Sequence, residues 1–238
     1  AGELAPLSAM ARPHVAVITN VEKAHTAFFG SLTEIARAKA EIFAGLEPGG
    51  VAVLNRDNPY FDVLAGAARE AGARVTGFGR SADAEARLAD WRIDAEGTSV
   101  QAAIGERNLD YRLKLPGRHW ALNSVAVLAA VHAVGADVGA AAAALGGLDP
   151  GPGRGRRHKI SLPGLCFQLI DESYNANPAS MAAALDVLGA TEPGPSGRRI
   201  AVLGDMLELG AEAEAEHAAL VASLEAAGVA QLFAVGPL

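Results

Sequence analysis

Between His14 and Phe78 the chain alternates short, β-branched apolar runs with helical segments, and this alternation restricts the fold more than any other feature. His14–Thr19 (HVAVIT) is almost continuously apolar, which predicts a parallel strand buried on both faces. A loop carrying Glu22, Lys23 and His25 follows. Ser31-Leu32-Thr33-Glu34 has the pattern of a capping box and opens a helix to about Ala44. Gly45 and Pro48-Gly49-Gly50 stop it. Val51–Leu54 is the next strand, Asn58-Pro59 opens a helix to about Ala71, and Arg74–Phe78 is a third strand. A βαβαβ succession calls for a mostly parallel sheet with helices on its faces.

From about Ala89 the rhythm changes. Trp91–Ala95, Ser99–Ile104 and Leu109–Leu115 alternate in polarity and are separated by glycine turns, which predicts an antiparallel meander at a sheet edge. Trp120–Val134 is apolar nearly all round, the mark of a buried helix, and Asp137–Leu145 is a short helix rich in alanine. Gly146–Arg157 (GGLDPGPGRGRR) reads as a linker. A second α/β unit follows. Its strands are Lys159–Ser161, Leu165–Ile170, Arg199–Leu203 and Gln231–Val235, and its helices Pro178–Gly189 and Glu212–Ala227. The expected domains are therefore residues 1–157 and 158–238. Cys166 falls in an apolar strand and is expected in the core.

Composition removes several classes of function. The 238 residues carry 20 Lys+Arg against 27 Asp+Glu, a net charge of −7, which disfavours a nucleic-acid partner. Half of the residues are hydrophobic, too many for a disordered chain. No apolar run approaches the ~18 residues of a membrane span. A single cysteine cannot build a disulfide framework. The chain opens on Ala1-Gly2-Glu3, with a strand expected soon after, and closes on Val235-Gly236-Pro237-Leu238. Both ends read as cuts within a longer protein.

Several residues stand out chemically. Leu32, Ile35, Ile42 and Leu46 form the apolar stripe of their helix, and Lys39 falls within it. An ammonium there must be paired, neutral or modified, unless its stem packs and its head escapes to water. His25 lies just beyond a strand's carboxyl end, where open α/β sheets gather ligands, and an imidazole there can bind a metal. Asp171 through Pro178 (DESYNANP) packs two carboxylates, a phenol and two amides into a strand–helix loop, with Asn177 also suited to cap the helix. Gly204 through Gly210 (GDMLELG) repeats the arrangement after the next strand and would bring Asp205 near Asp171 if the strands are neighbours. Arg154, Arg156, Arg157, His158 and Lys159 could grip phosphate or simply be a solvated linker. The sequence has no G-x-x-x-x-G-K-[ST], no G-x-S-x-G and no H-E-x-x-H.

In order along the chain, these segments resemble the Mur ligases, the ATP-dependent amide-forming enzymes of peptidoglycan synthesis. The similar stretches are Val17–Asn20 leading to Ala24-His25, Phe29–Leu32, Ile35–Phe43, Leu115–His119 with Asn123, Asp171–Pro178, and Ala201–Gly210. The strings Y-N-A-N-P and G-D-M-L-E-L-G are similar to the branch that joins D-Ala-D-Ala to UDP-N-acetylmuramoyl-tripeptide. The resemblance implies an α/β fold: a P-loop-type middle domain with a mostly parallel sheet and antiparallel edge meander, plus part of a Rossmann-like C-terminal domain.

It also implies roles for residues. His25 and a carbamylated Lys39 would hold Mg²⁺. A neutral lysine amine adds to CO₂, and the adduct supplies anionic oxygens suited to that ion. Asn123 would contact adenine, Arg156 the nucleotide phosphates, and Asp171 the ribose hydroxyls, with Glu172 competing in register. Tyr174, Asn175, Asn177 and Asp205 would lie around the dipeptide or the domain interface. ATP would convert a carboxylate into an acyl phosphate, from which the dipeptide amine then displaces phosphate, in a cytoplasmic, monomeric enzyme. Position 120 is Trp where many relatives carry a second Asn. The P-loop, the acidic ligand of the other Mg²⁺ and the domain for the UDP sugar are expected outside these residues, so the chain alone is expected to be inactive. A ligase that adds a single amino acid, or a non-catalytic α/β binding module, are the alternatives.

Overall fold

The computed structural model describes residues 2–22, 31–94 and 96–238. A helix that the sequence did not announce, α1 (Leu4–Ala11), precedes the first strand. Eight residues are too few to hold a helix in isolation, so packing must supply its stability. It lies on the 3-10 turn Glu41–Gly45. Ser8 Oγ donates to the Ile42 carbonyl and the Gly2 N–H donates to Glu41 Oε1 at 2.6 Å. Gly45 permits the close approach, since a Cβ there would strike the Ser8 backbone.

The alternating runs form a six-stranded sheet of β1 (Val15–Ile18), β2 (Val51–Asn55), β3 (Arg74–Gly79), β4 (Ala86–Asp94), β5 (Gly97–Ile104) and β6 (Arg107–Leu113), side by side in that order. β1 through β4 are parallel, and β4 through β6 antiparallel. The expected meander is thus joined to the parallel strands, with Phe78 and Gly79 opposite Ala86 and Arg87.

β2 is buried along its whole length. Its side chains alternate between two cores. Val51 and Val53 face α4 (Arg118–Ala133), while Ala52 and Leu54 face α2 (Leu32–Ala40) and α3 (Phe61–Glu70). Full burial of a side chain such as Leu54 contributes roughly 1.5–3 kcal/mol. Ser31 caps α2 by accepting from the Glu34 N–H at 3.2 Å, as its sequence position predicts. α4 is less buried than expected. Ala121, Val125 and Leu128 face the sheet, whereas Val127 is 46% exposed, because one helix on one side of a sheet has only one face to bury. α5 (Val138–Leu145) follows, capped by Asp137.

The start of α4 is fixed by buried polar contacts. Thr98 Oγ1 donates to the Leu115 carbonyl at 2.8 Å and accepts from the Gly117 N–H at 3.0 Å. Ser124 Oγ donates to the Ala121 carbonyl at 2.7 Å, which leaves it to accept from Tyr111 Oη at 2.6 Å.

The second unit contains the antiparallel hairpin β7 (Arg156–Leu162) and β8 (Leu165–Asp171), then α6 (Pro178–Gly189), β9 (Arg199–Gly204), α7 (Ala213–Ala226) and β10 (Val229–Val235). β9 and β10 pair in parallel, a βαβ unit around α7. One expectation fails here, and one condition is not met. Cys166 is exposed, because β7 and β8 form a two-stranded sheet in which Leu165, Phe167 and Leu169 are exposed as well. Asp171 and Asp205 do not end neighbouring strands, since β8 and β9 belong to different sheets.

Candidate functional site

The linker is not a solvated tether. Gly153 and Gly155 are buried, with left-handed φ of 71° and 80°. The Gly153 N–H donates to Asp171 Oδ2 at 3.1 Å, the Tyr174 N–H donates to the Gly153 carbonyl at 3.1 Å, and the Gly155 N–H donates to the Asp171 carbonyl at 2.9 Å. A Cβ at Gly153 would come within 2.7 Å of the Tyr174 nitrogen, so glycine is needed for space as well as for φ. Between the two glycines the Arg154 guanidinium lies 4.0 Å over the Tyr174 ring, a cation–π contact on an otherwise exposed phenol.

This clasp brings predicted residues together. Arg156 opens β7 directly opposite Asp171 at the end of β8. Cross-strand partners in an antiparallel pair project from the same face. Asp171 already accepts from the Ser173 hydroxyl at 2.6 Å and the Ser173 N–H at 3.1 Å, as well as from Gly153. These donors, Ser173 foremost, hold its carboxyl below the usual range. Glu172 differs: burial, reinforced by the neighbouring Asp171 charge, pushes its carboxyl up. Glu172 Oε1 lies 3.0 Å from where a Cβ on Gly155 would sit, and the Trp120 indole nitrogen is 4.0 Å from the same point. The first turn of α4 therefore meets the linker. Its His119 and Trp120 rings are 5.2 Å apart at a 44° tilt, and burial pushes the His119 imidazole down while Asp186 of α6 opposes that shift. Half-buried Asn123 lies one turn beyond Trp120 on the same side of α4. Asn123, Arg156 and Asp171 thus belong to elements that converge on one junction.

The remaining predicted residues spread outward. Asn175 Oδ1 accepts from the Ala176 N–H at 2.9 Å. Asn177 caps α6 through a capping box with Ser180, so its oxygen is engaged. Asp205 follows β9, accepts from the Leu238 N–H at 3.3 Å and lies against Gly236. Lys39 is half-buried on α2, in the helix layer opposite α4. His25 lies outside the described residues. Among the described residues, no group of three or more His, Cys, Asp or Glu side chains could hold a metal ion. Two surface depressions of about 700 Å³ and 560 Å³, beside His132 and on the meander, contain none of the predicted residues.

The roles of Gly153 and Trp120 at the junction were not read from the sequence. The paired glycines were visible, but their register against Asp171 and Tyr174 depends on a hairpin that brings distant segments together.

Comparison with known proteins bears on this arrangement. Residues 1–131 match the Mur ligase middle domain, and residues 155–238 match the family described as Mur ligase, glutamate ligase domain. The UDP-N-acetylmuramoyl-tripeptide–D-alanyl-D-alanine ligase of Escherichia coli is 37% identical over 236 residues, covering 99% of this chain and 50% of that protein. A crystal structure of MurF from Acinetobacter baumannii superposes with a TM-score of 0.84 at 28% identity, covering 98% of this chain and 52% of the other. MurF from Thermotoga maritima in complex with ADP shares the fold at TM-score 0.79 and 24% identity, over 98% of this chain and 55% of the other. The chain spans about half the length of the curated relatives it matches. With the middle-domain match alone covering more than half of its residues, the chain belongs to the Mur ligase family.

Proposed function

We propose that the whole protein uses ATP to join D-Ala-D-Ala to UDP-N-acetylmuramoyl-tripeptide in peptidoglycan synthesis. The observation that carries this reading is the 37% identity to the Escherichia coli D-alanyl-D-alanine ligase over 99% of this chain. That Asn123, Arg156 and Asp171 lie on elements meeting at one junction supports it, since an amide, a cation and a carboxylate there suit a nucleotide. Residues 1–157 are the nucleotide-binding unit and residues 158–238 the second; the last residues of the first, from Gly153 on, are clasped to the second, and β7 crosses the boundary.

Asn123 offers amide hydrogen bonds to adenine, and Arg156 offers a fixed fork of donors to phosphate oxygens. Asp171 or the half-buried Glu172 accepts from the ribose hydroxyls. Tyr174, Asn175, Asn177 and Asp205 border the dipeptide. The tripeptide carboxylate attacks the γ-phosphate, breaking its bond to the β-phosphate and releasing ADP to give an acyl phosphate, and the dipeptide amine then displaces phosphate, with loss of a proton, to form the amide. His25 and a carbamylated Lys39 would hold Mg²⁺; the half-buried position of Lys39 on α2 suits an amine that becomes an oxygen ligand. Bound there, Mg²⁺ would supply charge neutralisation for phosphoryl transfer. Movement of the second unit over the first excludes water and completes the site.

We assign a cytoplasmic, monomeric enzyme with no nucleic-acid partner. Among the described residues, no helix is long and apolar enough to cross a membrane. The 238 residues carry no G-x-x-x-x-G-K-[ST], and by themselves are proposed not to turn over.

The test is phosphate release from ATP by the full-length protein. It should require both the UDP-muramoyl-tripeptide and D-Ala-D-Ala, and the isolated chain should release none. Lys39→Ala should lower turnover by about a hundredfold or more, with partial rescue by an added short carboxylate. Release that ignores the dipeptide would refute the function, and unchanged turnover in Lys39→Ala would remove the carbamate.

A further inference from the structure

The loop after β9, Gly204–Gly210, is held by contacts that the proposed function leaves unexplained. Met206 and Leu209 are 1% and 4% exposed and pack with Leu220 of α7, Met181 of α6 and Ala176. Between these anchors Leu207 is 75% exposed, and Glu208 has a φ of 64°. A residue with a Cβ adopts that left-handed backbone only where its surroundings impose it, and such conformations cluster at functional sites.

One side chain reaches the middle of the loop. His217, on α7, accepts the Met206 N–H at Nε2, 2.8 Å away, and its Nδ1 lies 2.7 Å from the Ala213 carbonyl. These two partners together fix the ring's chemistry. A backbone N–H can only donate, so Nε2 carries no proton. A carbonyl can only accept, so Nδ1 carries one. The imidazole is thus a neutral Nδ1–H tautomer that ties the loop's buried amide to the first turn of α7. The same loop carries Asp205 at its start, and Met206 is the very next residue.

We propose that His217 is a positioning residue, which through Met206 fixes the strand-end loop Asp205–Leu209 and so places Asp205 for the dipeptide. The proposal rests on the ligase reading above, because it assigns the amine acceptor to that loop. His217 does not touch the reacting groups. It makes the loop a rigid platform, and α7 carries the platform as one body with the core of the second unit.

Three measurements test this. On the 238-residue chain, long-range ¹⁵N–¹H spectra at neutral pH should show Nε2 of His217 as the unprotonated nitrogen and Nδ1 as the protonated one. The opposite tautomer would overturn the proposal. In the full-length ligase, His217→Ala should raise KM for D-Ala-D-Ala about tenfold, the worth of one well-made buried hydrogen bond, while KM for ATP stays within about twofold. His217→Gln retains an acceptor at the end of the side chain and should restore KM for the dipeptide to within about threefold of wild type. An unchanged dipeptide KM in His217→Ala, or equal rises for both substrates, would overturn the role. If the wild-type protein shows no dipeptide-dependent turnover, the ligase reading falls instead. The positioning role is then decided by amide exchange in the chain: His217→Ala should speed exchange at Met206 and Leu209 by about tenfold, and unchanged rates would refute it.

Discussion

Arg154 lies with its guanidinium 4.0 Å over the ring of Tyr174, so the linker and the loop after β8 are held face to face. Because the Gly153 N–H also donates to the Asp171 carboxylate and its carbonyl accepts from the Tyr174 N–H, the linker from Gly153 onward belongs mechanically to the second unit. Tyr174→Leu removes the cation–π contact and leaves a smaller apolar side chain. It should cost about 0.5–1 kcal/mol at this exposed site and raise hydrogen exchange at Gly153 and Gly155. Urea unfolding and amide exchange read the two effects.

Asp171 contributes a defined part of the acid limb. Its folded-state carboxyl lies below the unfolded value because Ser173 and the Gly153 amide donate to the charged form. Its stabilising contribution is therefore complete above the ordinary aspartate value and disappears as pH falls through the depressed folded value. The urea midpoint of the wild type should fall over that range relative to Asp171→Asn, and the two curves should run parallel above about pH 5.

Tyr111 sets the alkaline limb. Burial pushes its phenol up to about 12, against the smaller opposing effect of the Ser124 hydrogen bond. A raised folded value means that its contribution is intact below the unfolded value near 10 and is lost as pH rises toward 12. Ultraviolet titration should show one tyrosine that ionises late, absent in Tyr111→Phe. Tyr111→Phe should cost about 1 kcal/mol, since Ser124 keeps its bond to Ala121. Ser124→Ala strands a largely buried phenol and should cost about 1–3 kcal/mol.

Asn55 and Asn58, both buried, hold the exit of β1. Asn55 Nδ2 donates to the Thr19 carbonyl at 3.0 Å and Asn58 Nδ2 to the Val21 carbonyl at 3.1 Å, while their own oxygens accept from the Asp57 and Tyr60 amides. Asn58→Ala would leave buried backbone groups without partners. It should cost about 1–3 kcal/mol, seen as a lower denaturation midpoint with an unchanged slope.

Much of this fold was legible because its signals are local. Val51–Leu54 reads as a strand buried on both faces, and Ser31, Asp137 and Asn177 mark helix starts that the structure keeps. The failures share a physical cause: they depend on what a segment packs against. α1 exists because Gly45 lets Ser8 approach, a contact between residues far apart in sequence. Cys166 sits in an apolar run, yet its two-stranded hairpin leaves that run exposed. At the candidate site, the family resemblance singles out Arg156 and Asp171, but only the β7–β8 register shows them directly opposite. Spacing offered no hint that His217 would reach Met206, since that contact depends on how α7 docks beside β9.

The choice of amine acceptor tests the central claim most directly. Full-length protein is incubated with ATP, Mg²⁺, UDP-N-acetylmuramoyl-tripeptide and equal amounts of D-Ala-D-Ala and single amino acids, and the products are weighed by mass spectrometry. The account predicts one product, heavier by a D-Ala-D-Ala residue pair, with one ADP formed per amide. A product extended by a single amino acid, or no amide formed while the protein is folded, would contradict it.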